Sequence, residues 1–231
     1  MCCGFGENFV KNNAEAENSF LNDGDVVPVK QERALIIFIK NPEKGKVKTR
    51  LAKTLGDEKA LAAYHDMLKH TRETTSQVDS HRALYYSSFV DTNDDWSNAD
   101  FHKVVQVQGD LGHKMASAFQ DLFAQGFQEV LIIGSDCLNL KPQHLEQAFR
   151  MLKHEDFVLG PANDGGYYLL GMRSFEPSVF KNKTWSTETV LSSTLEDIQN
   201  LSKTVHLLPE LIDVDNESDY LAALDTNAKR A

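Results

Sequence analysis

Short, continuous apolar runs alternate along this chain with longer segments of helical period, and few folds accommodate that alternation. Residues 34–39 (ALIIFI) and 129–134 (EVLIIG) have strand length and no polar face. Such strands are buried on both sides, as in a sheet covered by helices on both faces. After Gly56, Leu61, Tyr64, Leu68, Thr71, Thr75 and Val78 recur at spacings of three and four and mark one face of a helix. Met115, Phe119, Leu122 and Phe123 mark a second helix, which Gly126 can end in a left-handed conformation. Leu145, Ala148, Phe149 and Leu152 mark a third, opened by Pro142, and Val190, Leu191, Leu195 and Ile198 a fourth. Weaker strand patterns cover residues 82–89, 103–107, 157–160, 167–172 and 204–208. Asn216 can cap a short final helix over 217–224, with Asp219 in its first turn. Strands alternating with helices imply parallel pairing through right-handed crossovers, so the fold class is α/β.

At 231 residues the chain has room for one sizeable domain, burying roughly 70–75% of the surface its unfolded chain exposes. Residues 1–32 are rich in Asn, Glu, Asp and Gly and lack sustained periodicity, which predicts a mobile extension ahead of a single domain over 33–231. A net charge of −10 argues against a nucleic-acid partner, since most of the surface would repel phosphates. Three cysteines, with Cys2 and Cys3 adjacent, cannot form a disulfide framework of the secreted kind and suit a reducing compartment. No apolar run approaches the roughly 20 residues that span a bilayer. The first residues lack a basic segment followed by an apolar one, so the expected location is the cytoplasm, without a membrane partner.

Four constellations could carry chemistry. Residues 40–53 (KNPEKGKVKTRLAK) gather six of the 24 basic residues directly after the first strand. Ligands of open parallel sheets bind outside the carboxyl ends of the strands, where such a loop can hold a polyphosphate; the alternative is a solvated basic loop. Gly45 is its sole glycine, which excludes a Walker P-loop. In the second, IGSDC, a buried strand runs into Asp136, which either caps the following turn or holds a magnesium or manganese ion against donor phosphates. Ser135 lacks the flanking glycines of a nucleophile elbow. The third, GPANDGGYY, sets Asp164 and the paired glycines Gly165 and Gly166 before Tyr167 and Tyr168, and reads either as a hairpin turn or as a place for a sugar or other polyol. The fourth, LIDVDN, brings Asp213 and Asp215 to the end of the last strand as possible further metal ligands.

Together with GDLGHKM at 109–115 and WSTETVL at 185–191, these motifs occur in an order that resembles a family of GT-A-like transferases, over residues 34–224. That family is related to molybdenum cofactor nucleotidyltransferases and phospholactate guanylyltransferase, and some of its members are glycosyltransferases of arsenosugar biosynthesis. The resemblance implies a Rossmann-like nucleotide-diphospho-sugar transferase fold with a mostly parallel central sheet flanked by helices. It implies that Lys48 and Arg50 meet the donor phosphates and that Asp136 and Asp215 hold Mg2+ or Mn2+. Gly109, Asp110 and Gly112 would lie near the nucleotide, while Asp164, Gly165 and Gly166 would line the transferred group or the acceptor. The chain departs from the family pattern at Leu138, where proline is usual, and at His113-Lys114, where an acidic-basic pair is usual. The expected function is glycosyl transfer from a nucleotide sugar to a small acceptor. Nucleotidyl transfer to a phosphorylated small acid or sugar is the second reading, and a non-catalytic nucleotide-binding module the third.

Overall fold

The computed structural model describes residues 32–228; the expected extension, with Cys2 and Cys3, lies outside the described residues apart from Glu32. The elements run β1 Arg33–Ile39, α1 Thr49–Leu55, α2 Asp57–Ser76, β2 His81–Tyr86, β3 His102–Val105, α3 Leu111–Ala124 and β4 Glu129–Ile133. They continue with α4 Pro142–Leu152, β5 Phe157–Pro161, β6 Tyr167–Met172, a 3-10 turn Pro177–Phe180, α5 Val190–Asn200, β7 Val205–Leu207 and α6 Glu217–Ala228. The sheet order is β3-β2-β1-β4-β6-β5-β7.

All pairings are parallel except those of β6, which runs antiparallel to both β4 and β5. The alternation rule fails at β6 for a simple reason: a parallel return needs a crossover of a dozen or more residues, and only the turn 162–166 joins β5 to β6. The hairpin carries the first residue of β6 to the carboxyl ends of its neighbours, and with it the Asp164 turn.

β1 shows why the central strands have no polar face. Leu35, Ile37 and Ile39 join a core with residues of α1, α2, α4 and α6, while Ala34 and Ile36 join another with α3 and α5. Each buried Leu or Ile stabilises by roughly 1.5–3 kcal/mol. The expected strands over 82–89 and 103–107 both stop early, because side chains take over from the ladder. Buried Asn41 accepts at Oδ1 from the Ser88 N–H at 3.1 Å and donates from Nδ2 to the Phe89 carbonyl at 2.9 Å. Gln106 donates from Nε2 to the carbonyls of Ile39 and Tyr85. The stretch 49–55, expected as loop, is the short helix α1, since Leu51 reaches the core. The last helix runs beyond residue 224, to Ala228. No helix among the described residues is long and apolar enough to cross a membrane.

Candidate active site

The carboxyl ends of β1 and β4 open into a cleft of about 640 Å³. The segment after β1 supplies one wall. Lys48, at the start of α1, has φ 46 and ψ 44, a left-handed conformation that costs a residue with a Cβ on the order of 1–2 kcal/mol. That backbone turns the Lys48 side chain inward until it is only 5% exposed. Its Nζ lies 2.8 Å from Asp136 Oδ2 and donates to the Val214 carbonyl at 2.6 Å. Arg50, by contrast, points outward and meets Asp215 at 2.6 Å with both side chains well exposed.

Asp136 follows β4 after Gly134 and Ser135. Tyr64, from the buried face of α2, places its hydroxyl 3.2 Å from Ser135 Oγ and accepts from the Lys40 N–H at 2.8 Å. Desolvation pushes the Tyr64 phenol well above its ordinary value, so it stays neutral. The adjacent Cys137 thiol is buried and pushed up to about 12, which makes it inert.

Residues 211–215 are stitched between Asp136 and the β5–β6 turn. The Val214 N–H donates to the Asp136 carbonyl at 3.0 Å, the Asn163 N–H to the Leu211 carbonyl at 3.1 Å, and the Asp213 N–H to Asn163 Oδ1 at 2.9 Å. Burial raises the Asp213 carboxyl to about 7, and the nearby Asp136 charge pushes the same way while Lys48 opposes it. The Asp213 carboxyl therefore lies in the opposing fields of Asp136 and Lys48, and no ion pair of its own is found among the described residues.

The structure brings Lys48, Arg50, Asp136, Asp164, Gly166 and Asp215 into the cleft lining, with Asp213 among them. Gly109, Asp110, Gly112 and Gly165 are not in the lining of this cleft, although Leu111 and Gly166 beside them are. Asp110 caps α3 by accepting from the His113 N–H at 2.8 Å. A Cβ on Gly112 would lie 2.6 Å from the Trp185 ring, and one on Gly165 would run into the Glu188 backbone. Tyr167 and Tyr168, after Asp164, both line the cleft. Tyr168 is largely buried against Gly160 and spends its hydroxyl on the Pro209 carbonyl at 3.1 Å.

Sequence reasoning gave no role to several lining residues: Tyr64, Ser87, Gln106, Lys114, Trp185 and Thr187. Tyr64 had the signal of a core position only. Trp185 and Thr187 belong to WSTETVL, a motif whose residue types name no chemistry until the chain folds over the cleft. Among the described residues no group of three or more His, Cys, Asp or Glu could hold a metal ion. Asp136 and Asp213 still present hard oxygen donors, and magnesium is commonly held by one or two carboxylates together with substrate phosphates.

The fold is that of the nucleotide-diphospho-sugar transferases. A candidate nucleotide-diphospho-sugar transferase from Desulfovibrio desulfuricans G20 superposes with a TM-score of 0.76 at 29% identity, covering 86% of this chain and 96% of that one. The 4-diphosphocytidyl-2C-methyl-D-erythritol synthase of Anaerococcus prevotii shares the fold alone, with a TM-score of 0.52 at 10% identity over 86% of this chain and 96% of that one. In sequence, 140 residues are 24% identical to the 2-phospho-L-lactate guanylyltransferase of Methanocaldococcus vulcanius, 61% of this chain and 62% of that protein. The match thus spans less than two thirds of that relative. Residues 68–187 match the family described as "Uncharacterized protein conserved in bacteria (DUF2064)".

Proposed function

The chain belongs to the DUF2064 family and has transferases among its relatives, and from that premise we propose that it transfers a glycosyl group from a nucleotide sugar to a small acceptor. One observation carries the reading: Asp136 and the half-buried Asp213 share one site with Lys48 at the carboxyl end of β4. Two close carboxylates with a single buried ammonium leave net negative charge that suits a divalent cation. A magnesium or manganese ion held there would supply Lewis-acid stabilisation of phosphate oxygens. Asp213 suits it better than Asp215, whose carboxylate is occupied by Arg50.

The chain's own groups account for the rest. Lys48 has three N–H donors, and its contacts to Asp136 and Val214 leave one for a donor phosphate. Arg50, exposed and held at one nitrogen by Asp215, can swing its remaining donors onto the same diphosphate. Both would stabilise charge that grows on the departing nucleoside diphosphate. Asp164 uses Oδ1 to accept from the Gly166 N–H at 2.9 Å, which leaves Oδ2 for an acceptor hydroxyl as base or positioning contact. Gly166 gives the acceptor backbone access beside it.

Nucleotidyl transfer is the second reading, and the guanylyltransferase relative favours it. Product analysis separates the two. Glycosyl transfer predicts nucleoside diphosphate from a nucleotide sugar in magnesium, slowly with water and faster with an acceptor, and no pyrophosphate. Pyrophosphate from a nucleoside triphosphate and a phosphorylated acid, lost in Asp136→Asn, would replace the first reading with the second.

A further inference from the structure

Tyr64 carries a hydroxyl at a place where a phenylalanine ring would fill the same space. Its ring belongs to the core between α2 and the sheet and is 1% exposed, so it offers almost no surface to a ligand. The position of the oxygen is what distinguishes it. The parallel ladder between β1 and β4 runs from Arg33 and Glu129 to Ile37 and Ile133, and the cleft opens at its carboxyl end. Lys40 follows one strand, and Ser135 lies two residues past the other. The Tyr64 oxygen reaches both, accepting from the Lys40 N–H at 2.8 Å and lying 3.1 Å from the Lys40 carbonyl and 3.2 Å from Ser135 Oγ.

The number of protons limits how these contacts are wired. Burial, and then the Asp136 charge, push the Tyr64 phenol well above its ordinary value, so it keeps its one proton. With the Lys40 N–H on one lone pair, that proton goes either to the Lys40 carbonyl or to Ser135. Ser135, 4% exposed, stands between Tyr64 and Asp136, and its hydroxyl donates to Asp136 Oδ1 at 3.4 Å.

That contact is long for a hydroxyl on a carboxylate, and a serine hydroxyl turns freely among the acceptors in reach. A proton from Tyr64 on Ser135 Oγ takes the side facing the phenol and directs the Ser135 proton to Asp136. Oδ2 of the same carboxylate is held by Lys48 at 2.8 Å. Asp136 is thus fixed at both oxygens, and each keeps a lone pair for a cation.

Resting on the metal role proposed above for Asp136, we propose that Tyr64 is a positioning residue: through Ser135 it sets the direction in which the Asp136 carboxylate faces a divalent cation. It does so without touching the cation or the substrate. Hydrogen-bond partners behind a ligating carboxylate govern metal affinity by roughly 10–100-fold.

Manganese titrated into the full chain with a panel of nucleoside diphosphates, and followed by the spin resonance signal of the free ion, tests this. Tyr64→Phe keeps the ring and removes the oxygen, whereas Ser135→Ala breaks the link to Asp136 and leaves the Lys40 contacts in place. Each should weaken manganese by roughly 10-fold. The double variant should stay within about twofold of either single one, because one pathway is cut twice. A Tyr64 that only fastens Lys40 would lower the melting temperature and leave manganese affinity where it was, and that result overturns the proposal. Losses that multiply in the double variant overturn it too, since Tyr64 would then act by another route. Should Tyr64→Phe not fold, Ser135→Ala decides alone: a roughly 10-fold loss of manganese supports the pathway, and an unchanged affinity overturns it. Manganese bound as tightly by Asp136→Asn as by the wild type is a different failure, which removes the metal from Asp136 and the positioning role with it.

Discussion

At the residue scale, burial separates the pairs that Lys48 and Arg50 make. Asp136 lies just past the end of β4 and contributes little packing, yet it is the counter-charge of an ammonium that is only 5% exposed. Removing one partner of a buried pair strands the other, whereas an exposed pair contributes little. A double-mutant cycle of Lys48→Met with Asp136→Asn, read by denaturant unfolding, should give a coupling of about 1–3 kcal/mol. The same cycle for Arg50→Met with Asp215→Asn should give less than about 1 kcal/mol. Equal couplings would show that Lys48 is as solvated as Arg50. In magnesium, Asp136→Asn should also weaken nucleoside diphosphate by at least ~10-fold, because it removes a charged ligand.

Glycines fasten the cleft at the scale of its elements. Gly165 lies in the β5–β6 turn at φ +85, its carbonyl accepts from the Leu191 N–H at 3.0 Å, and the Glu188 backbone crosses where a Cβ would sit. It is the joint between the turn bearing Asp164 and the segment bearing Trp185. Gly56, at the end of α1, has a similar φ of +82 and nothing within 4 Å of a Cβ. Gly56→Ala should therefore cost only backbone strain, on the order of 1–3 kcal/mol for a conformation that side chains with a Cβ rarely adopt. Gly165→Ala should cost more, and it should also shift the fluorescence of Trp185 as that segment is displaced. Equal losses of stability, with unchanged fluorescence, would show that the Glu188 crossing yields freely.

On the scale of the whole molecule, partly buried titratable groups tilt stability with pH in opposite directions. Asp213 has a folded pKa of about 7, above its unfolded value, so the native state holds the extra proton. Its contribution is fully present below the unfolded pKa and is lost as pH rises toward 8. Asp213→Asn, which keeps the neutral shape, should raise the melting temperature at pH 8 and not at pH 4, and magnesium should narrow the difference in the wild type. His81 acts the other way. Burial, then the nearby His102 and Arg82, depress its pKa, and its Nε2 is buried without a hydrogen-bond partner. Its contribution is present above the unfolded pKa and is lost as pH falls through the folded one. A melting temperature at pH 8 that Asp213→Asn leaves unchanged would show that Asp213 is solvated rather than buried.

Hydrophobic periodicity alone determined the α/β class, the helix faces and the strands β1 and β4, because burial on two faces leaves a mark in every residue of a strand. The basic segment after β1 and the aspartate after β4 were legible for the same reason: their place follows from strand direction. Tertiary structure decided what local pattern cannot encode. The antiparallel insertion of β6 depends on loop length and on which edge is free. Asp213 and Asp215 differ in surroundings, one carboxyl desolvated and the other paired with Arg50, and two residues so close on an irregular segment do not differ in pattern. Trp185 and Gly112 lie far apart in sequence, and only the folded chain packs the indole against that glycine. Sequence carries the periodic demands of the core, whereas a site made of single side chains from distant segments exists only once the chain has closed.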